Sequence, residues 1–454
     1  MTRLATFLLS LLALSALAAG VYAHGARHPD GLPLREIGQR AGEAYVFGFP
    51  LVLMDETRAV MLARTGAQQN RLVHRRSLPG HGDEEVVRPN RDTLYSIAWL
   101  DLSAGPVELS WPQTGGRYWL FQVMDAWTDV AGAPGSRTQG AGPGRAFITG
   151  PAWRGGAPED AVHIKVNTNT AWIIGRIAVA PQPADLDAGR ALQNGFVLRA
   201  PDAAGPARSM GGRRPVDAVT MLPASAYFNR LAGLMEIDPP RPEDQPALQR
   251  FSGIGLMAGL YDPAGMGWIA RRAAARGVAV ARERLDAAAA GRAPGLNGWR
   301  TAREGLGDYG TDYALRAGVA MIGLGANRAE DAIYPNTDVD RRGRPLHGDH
   351  VYRLRFGPGQ APPAAAFWSI TAYDDQGFLL DTDRHALGDR DRLVYEEDGG
   401  LEIIIAAVRP DATPAANFLP VTPGAPFALT ARLYDPAPQA LSGAWTMPAV
   451  ERMD

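Results

Sequence analysis

Asp125, Trp127, Asp129 and Arg137 lie close together and are the residue types most able to do chemistry jointly. Paired carboxylates suit general acid–base work, and an arginine can hold developing negative charge. If a strand continues through them, Asp125, Trp127 and Asp129 share one face. At about 3.3 Å per residue the two carboxylates then stand roughly 13 Å apart. That is too far for a glycosidase pair, so either would need a partner from elsewhere, such as Asp92. With Arg137 in the adjoining Gly/Pro/Ser-rich loop, they could instead wall a polar ligand site. The plainer alternative is that both aspartates bind turn amides while Trp127 fills the core.

A second group begins at Arg88-Pro89-Asn90-Arg91-Asp92, a polar turn that feeds the β-branched and aromatic run Thr93 to Leu100. Asn90 and Asp92 have the types that cap such turns, taking local backbone N–H groups. Tyr95 and Tyr373 are more often core than site. The candidate ligand-binding set is therefore Asn90, Asp92, Tyr95, Asp125, Trp127, Arg137 and Tyr373. No catalytic residue is assigned.

The sequence has no Gly-x-Ser-x-Gly elbow, His-Glu-x-x-His, Ser-x-x-Lys or Walker loop. Gly253 to Ala258 fits a loose dinucleotide fingerprint but follows a helical stretch with no βαβ frame. Asp338 to Gly343, with Asp349, approaches a calcium loop, yet Arg342 places a cation where an oxygen ligand is required. It reads as a polar turn. No metal site and no cofactor are expected.

The elements that must position these residues follow from composition and pattern. A chain of 454 residues exceeds one ordinary core. Its apolar content of 46% with 21% charge is globular, and a net charge of −2 gives no field to draw in nucleic acid. Cysteine is absent, which excludes disulfides, thiolate sites and thiol nucleophiles. Lys165 is the sole lysine among many arginines.

Residues 1–23 read as a secretory signal cut before His24 or, alternatively, as an uncleaved anchor, the only membrane contact expected. Residues 24–70 give a linker and N-terminal helices: apolar positions recur at helical spacing from Leu34, and Pro50 kinks or ends the run. Residues 71–184 form a first β module. Its strands are expected at Thr93–Leu100, Val107–Trp111, Arg117–Asp125, Ala146–Thr149, Val162–Val166 and Ala171–Val179. Residues 185–335 form a helical connector, with helices at Ala184–Asn194, Pro223–Met235, Met266–Ala290 and Gly310–Leu324. Residues 336–454 form a second β module, including a hairpin that turns at Asp374 to Gly377.

The stretch from Val87 to Ser96, with Gly115 to Tyr118, Asp125 to Thr128 and Pro134 to Thr138, resembles domain-of-unknown-function family 1254. Phe367 to Asp374, Asn417 to Pro420, Pro426 to Tyr434 and Gly443 to Trp445 are similar to the partner family, 1214. The resemblance implies two β modules around a helical segment in exported or envelope proteins, with no established activity, cofactor or catalytic residue. This chain departs from the family pattern at Asp381 to His385 and at Phe418, where tryptophan is common.

The fold expected is α+β, two antiparallel β-sandwich modules joined by a mainly helical segment. The function expected is an exported protein, periplasmic or secreted, that binds or hydrolyses a polar small molecule or saccharide between the modules. The alternative is a non-catalytic envelope or assembly protein that binds other proteins through its β surfaces. A homo-oligomer is compatible with both.

Overall fold

The computed structural model describes residues 2–28, 30–83, 87–203, 214–290 and 295–453. It is a mixed α+β protein with several largely antiparallel sheets. After a helix at Thr2–Gly25 comes the long helix Leu34–Thr65, which runs through Pro50 without ending. Burial of Tyr45, Phe47, Phe49, Leu51, Val52 and Leu53 around that proline outweighs the lost backbone hydrogen bond. Among the described residues no helix is long and apolar enough to cross a membrane.

The helix Trp268–Ala290 crosses the long helix where both backbones carry glycine. A Cβ on Gly277 would stand 1.8 Å from the Gly38 carbonyl oxygen, so no other residue fits. Around this crossing the helices enclose their own apolar core, which also takes in Trp127.

One five-stranded sheet runs in the order Val73–His74, Thr93–Asp101, Thr170–Ala178, Trp119–Asp125, Val130–Gly132. A four-stranded sheet runs Val162–Lys165, Gly144–Thr149, Val107–Trp111, Val197–Arg199, its first pair parallel. The two share a core of Leu100, Leu109, Trp119, Phe121, Ile148 and Ile173. The expected strands are present to within two residues, and Val197–Arg199 adds one from beyond residue 184.

Two further sheets occupy the C-terminal region. Strand Phe427–Pro436 lies between Ala364–Asp374 on one side and the short strands Ala332–Ile333 and Asn336–Thr337 on the other. The second of these sheets is Phe418–Pro420, Leu401–Ala406, Tyr352–Phe356, Glu451–Arg452. Trp368, Ile370, Leu429, Ala431 and Leu433 meet Leu354, Phe356, Ile403 and Ile405 in a common core. Because side chains alternate across a strand, Phe367, Ser369, Thr371, Tyr373, Thr430, Arg432 and Tyr434 take the opposite face. That face is buried too, and what covers it is the turn preceding Thr93.

Candidate functional site

The turn Arg88–Asp92 is held from both ends. Arg88 adopts a left-handed φ of 53° and its N–H donates to the Gly377 carbonyl at 2.7 Å. A Cβ on Gly377 would lie 2.6 Å from Val87 Cγ1, so the hairpin needs glycine for the chains to meet. Asn90 Oδ1 accepts the Asp92 N–H at 2.6 Å, the expected Asx turn, but its Nδ2 donates to Tyr434 Oη at 2.9 Å and Thr93 Oγ1 at 3.1 Å. Asp92 likewise reaches out of its own turn. Its Oδ2 accepts from Ser369 Oγ at 2.7 Å and Tyr434 Oη at 3.2 Å, and Arg390 Nη2 donates to Oδ1 at 3.1 Å.

Tyr373 donates to the Pro89 carbonyl at 2.8 Å and accepts from Arg432 Nη2 at 2.6 Å. Arg432 also donates to Thr371 Oγ1 and the Arg88 carbonyl. Burial works against its charge, but Tyr373, Tyr434 and Asp92 outweigh it and hold its pKa above the ordinary arginine value. Asp389 is less firmly balanced: burial pushes its carboxyl up to about 6 despite the Trp368 N–H it accepts and Arg390 beside it.

The network continues onto the outer face of the five-stranded sheet. Tyr95, Arg176 and Leu120 are cross-strand neighbours, with Gln122 one step along. Arg176 is 6% exposed, and its guanidinium lies 5.4 Å from the Tyr95 ring centre. Arg176 Nη2 donates to the Gly325 carbonyl at 3.0 Å and Gln122 Nε2 to the Ala326 carbonyl at 2.9 Å. Asn327 Nδ2 donates to Tyr334 Oη at 2.8 Å. Arg176 Nε and Nη1, Gln122 Oε1, Asn327 Oδ1 and Tyr118 Oη are buried without hydrogen-bond partners. Among the described residues Arg176 makes no ion pair. Burial opposes its charge, and the neighbouring oxygens of Tyr95, Tyr334 and Tyr118 more than compensate. Arg137 closes one side, its Nη2 2.7 Å from Asp331 Oδ1.

Asn90, Asp92, Tyr95 and Tyr373 therefore come together, with Arg137 joined to Asp331 beside Tyr118 and Tyr334. Asp125 and Trp127 do not join them. The strand stops at Asp125, and Thr128 turns the chain with φ 74°. The condition behind the 13 Å estimate is thus not met: Asp125 Oδ1 accepts the Trp127 and Asp129 N–H groups, both at 2.9 Å. Burial first and Asp129 second push Asp125 up to about 7. Arg241 Nη1 donates to Asp129 Oδ2 at 2.9 Å, while Arg316, enclosed by Phe47, Trp127 and Tyr313, stays 3.9 Å from that oxygen. Trp127 is core, with its Nε1 donating to the Asp238 carbonyl.

The sequence reading missed Gln122, Arg176, Asn327, Tyr334, Arg390, Arg432 and Tyr434. Arg176 carried a signal, a charge inside the apolar run Trp172 to Ala178. Arg432 alternates with apolar neighbours, a pattern that carries no sign of a buried charge.

Residues 69–200 match the model of DUF1254, a protein of unknown function, and residues 331–438 that of DUF1214, likewise of unknown function. No curated protein matches. Among solved structures, the VPA0106 protein from Vibrio parahaemolyticus is 23% identical with a TM-score of 0.71, over 92% of this chain and 100% of that one. An uncharacterised protein from Burkholderia cenocepacia is 13% identical with a TM-score of 0.48, over 93% and 94% of the two chains. The first likeness shows a common fold. Both family regions are present in the order the resemblance implied, DUF1254 over residues 69–200 and DUF1214 over residues 331–438.

Proposed function

We propose that this chain is an exported binding protein for a small, polar, anionic molecule, held where the five-stranded sheet meets the strands Ala364–Asp374 and Phe427–Pro436. In this reading the two sheet pairs are two β-sandwich modules and the site lies between them. The observation that carries it is Arg176: a buried guanidinium with no carboxylate partner, bonded to the Gly325 carbonyl and faced by Tyr95, whose Nε and Nη1 stay free beside unpaired atoms of Gln122, Asn327 and Tyr118. A buried unsatisfied polar group costs about 1–3 kcal/mol, more when charged. A cluster of them from separate segments is expensive unless something binds there. Arg176 and Arg432 supply charge for an acid group, while the free oxygens of Gln122 and Asn327 accept from hydroxyl or N–H donors, so an anion that also carries hydroxyls would satisfy both kinds of partner.

Binding is favoured over hydrolysis because Asp125 makes none of the junction's contacts and the junction's own raised carboxyl, Asp389, is engaged by the Trp368 N–H. The apolar N-terminal segment with a small-residue site before His24 supports export. The assembly alternative is less well supported, since large parts of the β surfaces are already covered within the chain.

The experiment is a thermal-shift screen of small carboxylates, phosphates and neutral polyols. At a hundredfold excess over its Kd a ligand adds about 2.7 kcal/mol of stability. An anion should stabilise the wild type but not Arg176→Met or Gln122→Leu. If no anion shifts the wild type, or if both variants respond as it does, the proposal fails.

A further inference from the structure

A second site lies away from that junction. A groove of about 660 Å³ opens between the ends of the strands Gly144–Thr149 and Val162–Lys165 and the segment Pro239 to Glu243. That volume is ample for a small molecule. We propose that this groove binds an acidic sugar, a pyranose ring carrying a carboxylate or phosphate.

The ring would stack on Trp153. This indole is 38% exposed, unusual for a residue its size, and is steadied by an edge contact with Phe147 at 5.8 Å. Gly155 makes room for it, since a Cβ there would come within 2.5 Å of the indole. An exposed aromatic face over a polar groove suits the C–H face of a sugar, leaving the hydroxyls to Asn167, Thr149 and His163. Thr149 Oγ1 and His163 Nε2 already share a hydrogen bond at 3.0 Å.

The acid group would go to the cations. Arg154, Lys165 and Arg241 line the groove against one carboxylate, Glu243. Lys165 is exposed at the end of its strand, in register with Thr149. Arg241 is held from behind by Asp129, so Lys165 and Arg154 supply the uncompensated charge.

The walls are fixed before any ligand arrives. Pro239, Pro240 and Pro242 restrict the backbone of one wall. Buried Asp238 ties it to the other: Oδ1 accepts the Thr170 N–H at 2.7 Å and its carbonyl accepts Trp127 Nε1 at 3.1 Å. Asn169 Nδ2 donates to the Ile237 carbonyl at 2.7 Å. Rigid walls spare the ligand the entropy of ordering them.

Lys165 is the sole lysine, so reductive methylation of the purified protein modifies Lys165 and the α-amine alone. The α-amine is the internal control. The Lys165 methylation rate is followed by peptide mass spectrometry with glucuronate, glucose 6-phosphate, glucose or inorganic phosphate, at constant ionic strength. We expect both acidic sugars to slow Lys165 at least fivefold and saturably, leaving the α-amine unchanged. Glucose and inorganic phosphate should each protect far less, and Trp153→Ala should lose the protection while keeping the wild-type Tm. An unchanged Lys165 rate, equal protection by inorganic phosphate, or full protection in Trp153→Ala would overturn the proposal. None of these residues contributes to the junction, so the two proposals fail or stand separately.

Discussion

The turns at Asp92 and Asp125 start from the same local chemistry and end with opposite kinds of partner. Both place a buried aspartate beside a strand end, and in both an Asx-type bond closes the turn. Asp92 meets hydroxyls and a guanidinium from the C-terminal sheets: Ser369, Tyr434 and Arg390. Asp125 meets backbone amides and a second carboxylate, and its pKa climbs to about 7. Local sequence shapes a turn, but the charge state of its carboxylate is set by what the rest of the chain brings to it. The first turn fastens two regions together; the second stores a titratable group in one.

The largest expected effect comes from breaking the first turn. Asp92→Ala removes the acceptor shared by Ser369, Tyr434 and Arg390 and should cost about 3–5 kcal/mol, read as a lowered urea midpoint. A loss below about 1 kcal/mol would mean that the carboxylate fastens nothing.

The second turn is tested by pH. Asp125 has a folded pKa above its unfolded value of about 3.8, so the native state binds the extra proton. Its contribution to stability is therefore full below the unfolded pKa and is lost as pH rises through about 7. Asp125→Asn keeps the Oδ1 acceptor and lacks the titration. Its stability relative to wild type should rise between pH 5 and pH 8, by roughly 1–3 kcal/mol given the screening and coupling in this pair. A difference that stays flat with pH would show that Asp125 is ionised throughout.

The smallest effect sharpens the contrast at single-bond resolution. Ser369→Ala deletes one hydroxyl from Asp92, leaving Tyr434 and Arg390, and should cost about 1 kcal/mol. In Asp92→Ala the same substitution should cost almost nothing, a non-additivity that a double-mutant cycle measures.

The strands of the first β region were legible because alternation and Gly/Pro punctuation are local signals: Val107–Trp111 is found with the expected bounds. The long helix was legible too, though the proline warned of a break that packing overrides. Asn90 and Asp92 could be picked out as turn residues, but their cross-chain partners Tyr434 and Arg390 lie some 300 positions away and carry no motif. Thr371, Thr430 and Arg432 show why such a site hides. Polar residues alternating with apolar ones read as a solvent-facing side, and only the docking of another region turns that side into an interior. Asp129 shows the converse: its closeness to Asp125 depends on Thr128 adopting a left-handed φ, which threonine seldom does.

On the proposed function, Arg176 is kept for a ligand and not for the fold. The direct test is the stability of Arg176→Met with and without the anion that stabilises the wild type. Methionine removes the desolvated charge and its two free N–H groups and fills a similar length, which offsets the loss of the one bond to the Gly325 carbonyl. The ligand-free variant should be at least as stable as wild type, with the ligand-induced rise in Tm abolished. A variant that unfolds several degrees earlier yet still gains the full ligand-induced rise would contradict it.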